Sequence, residues 1–181
     1  AVQKVVNQVI EPEGWTGFRY SLALEELAMR NGGTGELPVS LFSDGVRAMV
    51  SLTADLAWRC ARLNGHFGER APEKTKGIVF IDEVDQHLHP AWQQRVVNAL
   101  RHAFPLVQFI ISTHSPQVLT TVAAENIRVL ELDEEEATAH MPSFSPLAHE
   151  SGDALAKVMG THREPDLPLQ EQVRKFEQEV R

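Results

Sequence analysis

Three short apolar runs, separated by segments of helical length, constrain the fold of this chain more than any other feature of its sequence. The runs are Ile78–Ile81, Val107–Ile111 and Ile127–Leu132, and the segments between them predict helices over Pro90–His102 and Pro116–Ala123. The runs do not alternate between apolar and polar residues, which is typical of parallel strands covered on both faces. Both predicted helices begin with proline, which the first turn of a helix tolerates. The order βαβαβ therefore predicts an α/β fold with a parallel sheet flanked by helices.

A long amphipathic helix precedes these strands. Apolar residues recur at helical spacing from Val46 to Leu63, and Ser43 is placed to cap the start of this helix. Upstream, the sequence predicts a polar opening helix and two short strands around Phe18–Leu24 and Glu26–Arg30. The polar stretch 64–76 predicts a surface loop.

The tail of the chain has weaker patterns. An acidic turn at 133–136 closes the third apolar run, and short helices are predicted around 153–159 and from 169 to the end. We divide the chain into an N-terminal part (1–40), a core (41–132) and a C-terminal helical tail (133–181).

Composition limits the classes of protein to which the chain can belong. With 181 residues, 43% of them apolar, it is long enough for one domain or a large part of a bigger one. A net charge of -8 does not indicate nucleic-acid binding through a broad basic face. A single cysteine fits a reducing compartment, and no apolar run is long enough to cross a bilayer. We predict a cytoplasmic protein without a membrane segment.

The predicted site lies where the parallel strands end, because loops and helix N-termini converge there. The first run leads directly into Asp82 and Glu83, and the second leads into Ser112 to His114. In a nucleotide hydrolase the first carboxylate would hold magnesium, usually through water, and the second would orient or deprotonate the attacking water. His114 could contact the terminal phosphate. Taken alone, an acidic pair at a strand end is also typical of a helix cap or a solvated turn.

A second candidate anion site lies at the start of the amphipathic helix. Ser43, Asp44 and Gly45 place a hydroxyl and several backbone amides there, an arrangement suited to anions. By itself it is an ordinary N-cap. His87 and His89 could share a zinc ion, although no third ligand at zinc spacing lies close in sequence.

Together three stretches resemble ABC-type ATPases, nearest to the branch that includes RecF, SMC and overcoming-lysogenization-defect proteins. "LFSDGVR" resembles the signature motif, "GIVFIDEVDQHLHP" the Walker B strand with its D-loop, and "FIISTHSP" the switch-histidine strand. The resemblance covers roughly residues 37–132. The residues of the three motifs resemble still more closely those of AAA-family ATPase subunits of retron and Septu antiphage systems. The resemblance implies a P-loop NTPase-like fold.

The resemblance also implies a role for each matched residue. Asp82 matches the magnesium-coordinating aspartate and Glu83 the general base, with ATP as substrate and Mg2+ as cofactor. His114 matches the switch histidine. Ser43 and Gly45 match signature residues that reach the γ-phosphate bound to the opposite subunit of a homodimer. Asp44 replaces a glycine of the transporter signature.

One departure limits what this chain does alone. No G-x-x-x-x-G-K-[ST] phosphate loop occurs in the 181 residues, so they form a partial domain that we expect to be inactive by itself. In the complete protein the resemblance implies an ATPase that drives an effector, such as a nuclease subunit, in antiphage defence or DNA-related maintenance. The alternative is a non-catalytic interaction module or a split or degenerate ATPase subunit.

Overall fold

A computed structural model describes residues 1–132 and 136–161 of the chain. The chain divides into two compact units, Ala1–Val118 and a second one that begins at Leu119. The predicted polar helix from residue 169 onward, and most of the predicted acidic turn, lie outside the described residues.

The first unit contains most of the regular structure. Its elements, in chain order, are α1 (Val2–Ile10), β1 (Thr16–Ser21), β2 (Glu26–Asn31), β3 (Gly35–Pro38), α2 (Asp44–Leu63), α3 (Ala71–Lys74), β4 (Gly77–Ile81), α4 (Pro90–Gln93), α5 (Val96–Ala103) and β5 (Val107–Ile111). A further short helix, α6 (Pro116–Leu119), follows β5 and ends at the first residue of the second unit. In the first unit, 3-10 turns cover Glu11–Glu13, Val39–Leu41 and Gly65–Arg70.

The predicted parallel sheet is present as the pair β4 and β5. Their register runs from Gly77 opposite Val107 to Ile81 opposite Ile111. The expectation that both faces of these strands are covered is wrong for this chain, because burial alternates along both strands and one face of the pair is exposed. Val79, Ile81, Val107, Phe109 and Ile111 pack against the core, whereas Ile78, Phe80 and Ile110 are 60%, 75% and 44% exposed.

The core of the first unit lies beneath the covered face of this pair. The predicted amphipathic helix is confirmed as α2, which buries Met49, Thr53, Leu56 and Cys60 at spacings of three and four residues. It packs against α1. This burial along a 20-residue helix fixes the position of its N-terminus, which belongs to the candidate site.

The upstream strands form an antiparallel sheet in the order β1-β2-β3. The two predicted strands are present. The third, β3, was not predicted because a four-residue strand bounded by Gly35 and Pro38 has no alternating pattern.

Two predicted helices are shorter than expected. A turn at Gln94 and Arg95 divides the first into α4 and α5, and the second ends at Leu119 rather than at Ala123. Their starts at Pro90 and Pro116 are as predicted. The stretch predicted as a loop, 64–76, contains a 3-10 turn and α3.

The second unit contains β6 (Val129–Leu132), β7 (Ala137–His140) and α7 (Ser151–Lys157). The third apolar run does form a strand, but it pairs antiparallel with β7 rather than extending the parallel pair. The unpredicted β7, which has no large apolar residue, supplies the backbone partner. Leu119, Ile127, Ala154 and Val158 form a small core within this unit. No helix in the described part of the chain is long and apolar enough to cross a membrane.

Candidate active site

The ends of β4 and β5 bring the predicted acidic pair next to the predicted histidine segment. Because the two strands are parallel and Ile81 lies opposite Ile111, both leave the sheet at the same edge. The Ser112 backbone N–H donates to the Ile81 carbonyl over 3.0 Å, and the Val84 N–H donates to the Ser112 carbonyl over 3.2 Å. Backbone hydrogen bonds therefore hold the segments beyond the two strands in register.

The Ser112 side chain binds both residues of the acidic pair. Its hydroxyl donates to the Asp82 carboxylate and accepts the Glu83 backbone N–H over 2.9 Å. Sequence reasoning placed Ser112 in the histidine motif without giving its side chain a role. The spacing of residues along the sequence does not reveal that the Ser112 hydroxyl oxygen binds both Asp82 and Glu83, which lie 30 and 29 positions earlier in the chain.

Glu83 has an unusual backbone conformation. Its φ of 47° lies in the left-handed region, which non-glycine residues rarely occupy and which is concentrated at functional sites. Its side chain is exposed, and its carboxylate forms no hydrogen bond or ion pair within the described ranges. The carboxylate therefore faces solvent, where a ligand could meet it.

The segment after the acidic pair, which we call the connecting turn (residues 82–89), is tied to the histidine segment. The Thr113 hydroxyl donates to the Asp85 carboxylate and accepts the Ser115 backbone N–H over 3.0 Å. Within the turn, the Leu88 N–H donates to the Asp85 carbonyl over 3.0 Å. These bonds explain why an irregular stretch has a defined shape.

Gln93 completes this network from α4. Its side-chain amide donates to the carbonyl oxygens of Leu88 and Asp85, at 3.0 and 3.3 Å. Its amide oxygen accepts the hydroxyl hydrogen of buried Ser115 over 2.8 Å. His114 thus lies between two anchored residues, Thr113 and Ser115, with its imidazole exposed. The network fixes the backbone that carries the imidazole while leaving the ring accessible.

The start of α2 is the third part of the candidate site. Ser43 is the N-cap residue, but its hydroxyl makes no capping hydrogen bond, so that part of the prediction is wrong. The hydroxyl is exposed at a helix N-terminus, where backbone amides favour anions. Asp44 forms an ion pair with Arg47, which also donates to the Ser40 carbonyl over 3.3 Å. That pairing offsets the negative charge that Asp44 brings to a candidate anion site.

Gly45 joins the start of α2 to the connecting turn. A Cβ placed on Gly45 would lie 2.8 Å from the carbonyl oxygen of His87 and 3.5 Å from the Leu88 Cα. Contacts below 3.0 Å essentially never occur for a real Cβ, so the backbones meet at a distance that only glycine allows. Leu88 itself is buried. The start of α2 therefore lies directly against the connecting turn.

The two histidines of the connecting turn, His87 and His89, differ in their structural setting. His89 caps α4, since its Nδ1 accepts the Ala91 N–H over 3.3 Å. His87 has a left-handed φ of 62°. No group of three histidine, cysteine or acidic side chains suited to a metal ion forms within residues 1–132 and 136–161.

The acidic pair nevertheless fits magnesium bound with a nucleotide. Mg2+ is usually held by one or two carboxylates together with waters and substrate phosphates, rather than by an all-protein cage. Asp82 is exposed at a strand end, and the Ser112 hydroxyl binds its Oδ1. The other oxygen has no hydrogen-bond partner among the described residues, so it could face a hydrated ion.

The fold belongs to a known class of ATPase domain. A solved SMC ATPase chain, from work on ATP-driven dimerization and DNA-stimulated activation, gives a TM-score of 0.59 at 15% identity, over 96% of this chain and 91% of that chain. The SMC head domain from Thermotoga maritima gives 0.55 at 18% identity, over 79% and 46%. This similarity defines an α/β fold of the SMC ATPase-head class.

Sequence comparison identifies the family. The model for AAA_21, described as "AAA domain, putative AbiEii toxin, Type IV TA system", matches residues 23–120, and the chain belongs to this family. The "Retron Vc95 probable ATPase" of Vibrio cholerae serotype O1 biovar El Tor is 39% identical over 142 residues. "Septu protein PtuA" of Bacillus mycoides (strain KBAB4) is 36% identical over 104 residues. These matches confirm the resemblance that the three motifs indicate.

The matches also show how much of each relative this chain represents. The alignments cover 78% and 58% of this chain, but only 27% of the retron protein and 14% of the Septu protein. The chain therefore corresponds to a minor part of the length of these relatives.

Proposed function

We propose that this chain forms part of an ATPase that binds and hydrolyses ATP and drives an effector in antiphage defence. The observation that carries the proposal is the meeting of the Asp82–Glu83 pair with the 112–115 segment at one edge of the parallel pair. Hydrogen bonds to the Ser112 hydroxyl join these two segments, and the start of α2 lies against the connecting turn that follows them. A solvated turn alone would not require this arrangement.

Each residue of the site has a distinct chemical task in this proposal. Asp82 would hold a magnesium ion through water, and that ion would offset the charge on the phosphates. Glu83 would accept a proton from the attacking water, a contribution of about 10²–10⁴ in rate for a general base. The exposed imidazole of His114 would hydrogen-bond to the terminal phosphate. The bonds at Thr113 and Ser115 support this task because they fix the backbone on both sides of the ring.

The start of α2 would complete the site of a second subunit. The Ser43 hydroxyl is exposed and not used for capping, so it is available to an oxygen of a phosphate held elsewhere. We propose a homodimer in which each composite site joins Asp82 and Glu83 of one subunit with Ser43–Gly45 of the other. ATP would hold the subunits together, and hydrolysis would release them and switch an effector, such as a nuclease subunit.

The phosphate loop would come from polypeptide outside these 181 residues, which contain no G-x-x-x-x-G-K-[ST] sequence. The exposed face of the parallel pair supports this proposal. Ile78, Phe80 and Ile110 form an apolar surface on strands of a type that is normally covered on both sides. A further part of the ATPase would cover this face and carry the loop.

The missing loop also favours a second candidate, a non-catalytic interaction module with an ATPase-like fold. In that case the complete protein would hydrolyse no ATP, even when a complementary chain with a phosphate loop is added. A complementary chain that restores hydrolysis would instead indicate a split ATPase.

The proposed test traps the ATP-bound state. In the complete protein, Glu83→Gln removes the base but keeps the size of the side chain, so we expect ATP to hold a dimer that light scattering after gel filtration detects. Glu69→Gln is the matched control, because Glu69 is an exposed glutamate in the 3-10 turn Gly65–Arg70. A Glu83→Gln protein that hydrolyses ATP at the normal rate would remove Glu83 from the proposed role.

A further inference from the structure

Ser112 occupies a position that none of the predicted roles explains. A serine hydroxyl has one donor and two acceptor lone pairs, and this one uses both functions at the site. It donates its hydrogen to Asp82 and accepts the backbone hydrogen of Glu83 over 2.9 Å. A single oxygen atom thus contacts the metal-binding residue and the general-base residue of the proposed mechanism.

We propose that Ser112 is a positioning residue that orients Asp82 and Glu83 for ATP hydrolysis, an inference that rests on the proposed function. The hydroxyl holds Oδ1 of Asp82, which directs the remaining oxygen away from Ser112 and toward a hydrated metal ion. Carboxylates that bind metals are generally held by such hydrogen bonds, and loss of the partner typically lowers metal affinity or activity.

The second bond acts on Glu83 through its backbone. Glu83 has a left-handed φ of 47°, a conformation that persists only where its surroundings fix it. The Ser112 oxygen accepts the N–H of this residue, so the bond helps to hold the backbone conformation that sets the direction of the carboxylate. The same hydroxyl therefore couples the orientation of the two acidic side chains.

The fold does not depend on this hydroxyl. Strand pairing at Ser112 uses its backbone N–H and carbonyl, which bond to Ile81 and Val84. The side chain is exposed, so its replacement leaves no buried cavity. A substitution that removes only the hydroxyl should therefore change the chemistry and not the stability.

Threonine and valine at position 112 give a matched test in the complete protein. The two side chains have nearly the same shape, but only threonine keeps the hydroxyl. We expect Ser112→Val to lower kcat by about 10–100-fold, the range found when a residue that orients a metal ligand is lost, with little change in the KM for ATP. Ser112→Thr should restore kcat to within a few-fold of the original protein.

A second readout does not depend on turnover. Binding of Mn2+ in the presence of a non-hydrolysable ATP analogue, followed by electron paramagnetic resonance, should be about 10-fold weaker or more for Ser112→Val. Ser112→Thr should bind Mn2+ as the original protein does. Thermal unfolding of the two variants should coincide, which shows that the difference is not one of folding.

The outcomes separate this inference from the proposed function. If the original protein hydrolyses ATP and the valine and threonine variants match in kcat and Mn2+ affinity, the role of Ser112 is overturned while the proposed function stands. If the complete original protein neither hydrolyses ATP nor binds Mn2+ with the analogue, both are overturned. Weaker Mn2+ binding and a lower kcat in the valine variant alone would support the inference.

Discussion

Replacement of Gly45 by alanine tests the contact that joins the start of α2 to the connecting turn. The added methyl group would lie 2.8 Å from the carbonyl oxygen of His87, which is backbone and cannot rotate away. The helix start or the turn must therefore move by several tenths of an ångström. Because Leu88 is buried beside this contact, the movement would also disturb packing in the core.

The expected change in the free energy of unfolding combines two opposing contributions. Overpacking in a well-packed region costs about 1–3 kcal/mol. Alanine in place of glycine within a helix favours folding by up to about 1 kcal/mol. We therefore expect Gly45→Ala to lower the free energy of unfolding by about 1 kcal/mol, which is the middle of the overpacking range less the gain from alanine.

Urea unfolding of the complete protein, followed by tryptophan fluorescence, measures this change, because Trp92 is buried in the same unit. Gly65→Ala is the matched control, since a Cβ at Gly65 would meet no heavy atom within 4 Å. We expect the control to be neutral or slightly stabilising. If Gly45→Ala unfolds at the same urea concentration as the control and the original protein, the close contact at His87 does not constrain the helix.

Three further predictions concern the first unit. Burial raises the pKa of the Cys60 thiol, so Cys60 should react slowly with a disulfide reagent in the folded protein and rapidly in denaturant; equal rates would contradict its burial. Leu100 is fully buried, so Leu100→Ala should cost about 2–5 kcal/mol in urea unfolding, whereas Leu63→Ala on the exposed side of α2 should stay within about 0.5 kcal/mol. The side chain of Lys4, 2.7 Å away, lowers the pKa of Glu73, so this pair stabilises the fold above the ordinary pKa of glutamate and loses its effect as the pH falls through the lowered value. Glu73→Gln should therefore reduce the melting temperature slightly at pH 7 and not in acid, and a difference independent of pH would refute the coupling.

The sequence alone predicts the elements whose patterns are long or strongly apolar. The helix α2 repeats its apolar residues over 20 positions, and β4 and β5 are mostly apolar, with Gln108 as the one polar residue in β5, so all three were predicted close to their observed bounds. The four-residue strands β3 and β7 carry no such pattern. They exist because a neighbouring strand offers backbone partners, which depends on tertiary register rather than on local preference.

The candidate site, like the fold, was predicted from the sequence only in part. The motifs predict that Asp82 and His114 follow neighbouring strands, and the register of the parallel pair brings these segments together. The motifs do not predict the Ser112 and Thr113 hydrogen bonds or the close approach at Gly45. Those contacts depend on how an irregular turn folds back on the sheet, and residue spacing does not encode that path.

We propose that Asp82 and Glu83 belong to an ATP-hydrolysing site that polypeptide outside these 181 residues completes. Magnesium-dependent phosphate release should therefore be measured for the complete protein, its Glu83→Gln variant and the 181-residue chain. We predict hydrolysis by the complete protein and none by the 181-residue chain, with Glu83→Gln slower than the complete protein by about 10²–10⁴-fold. Absence of hydrolysis in all three samples would contradict the claim and favour the interaction module.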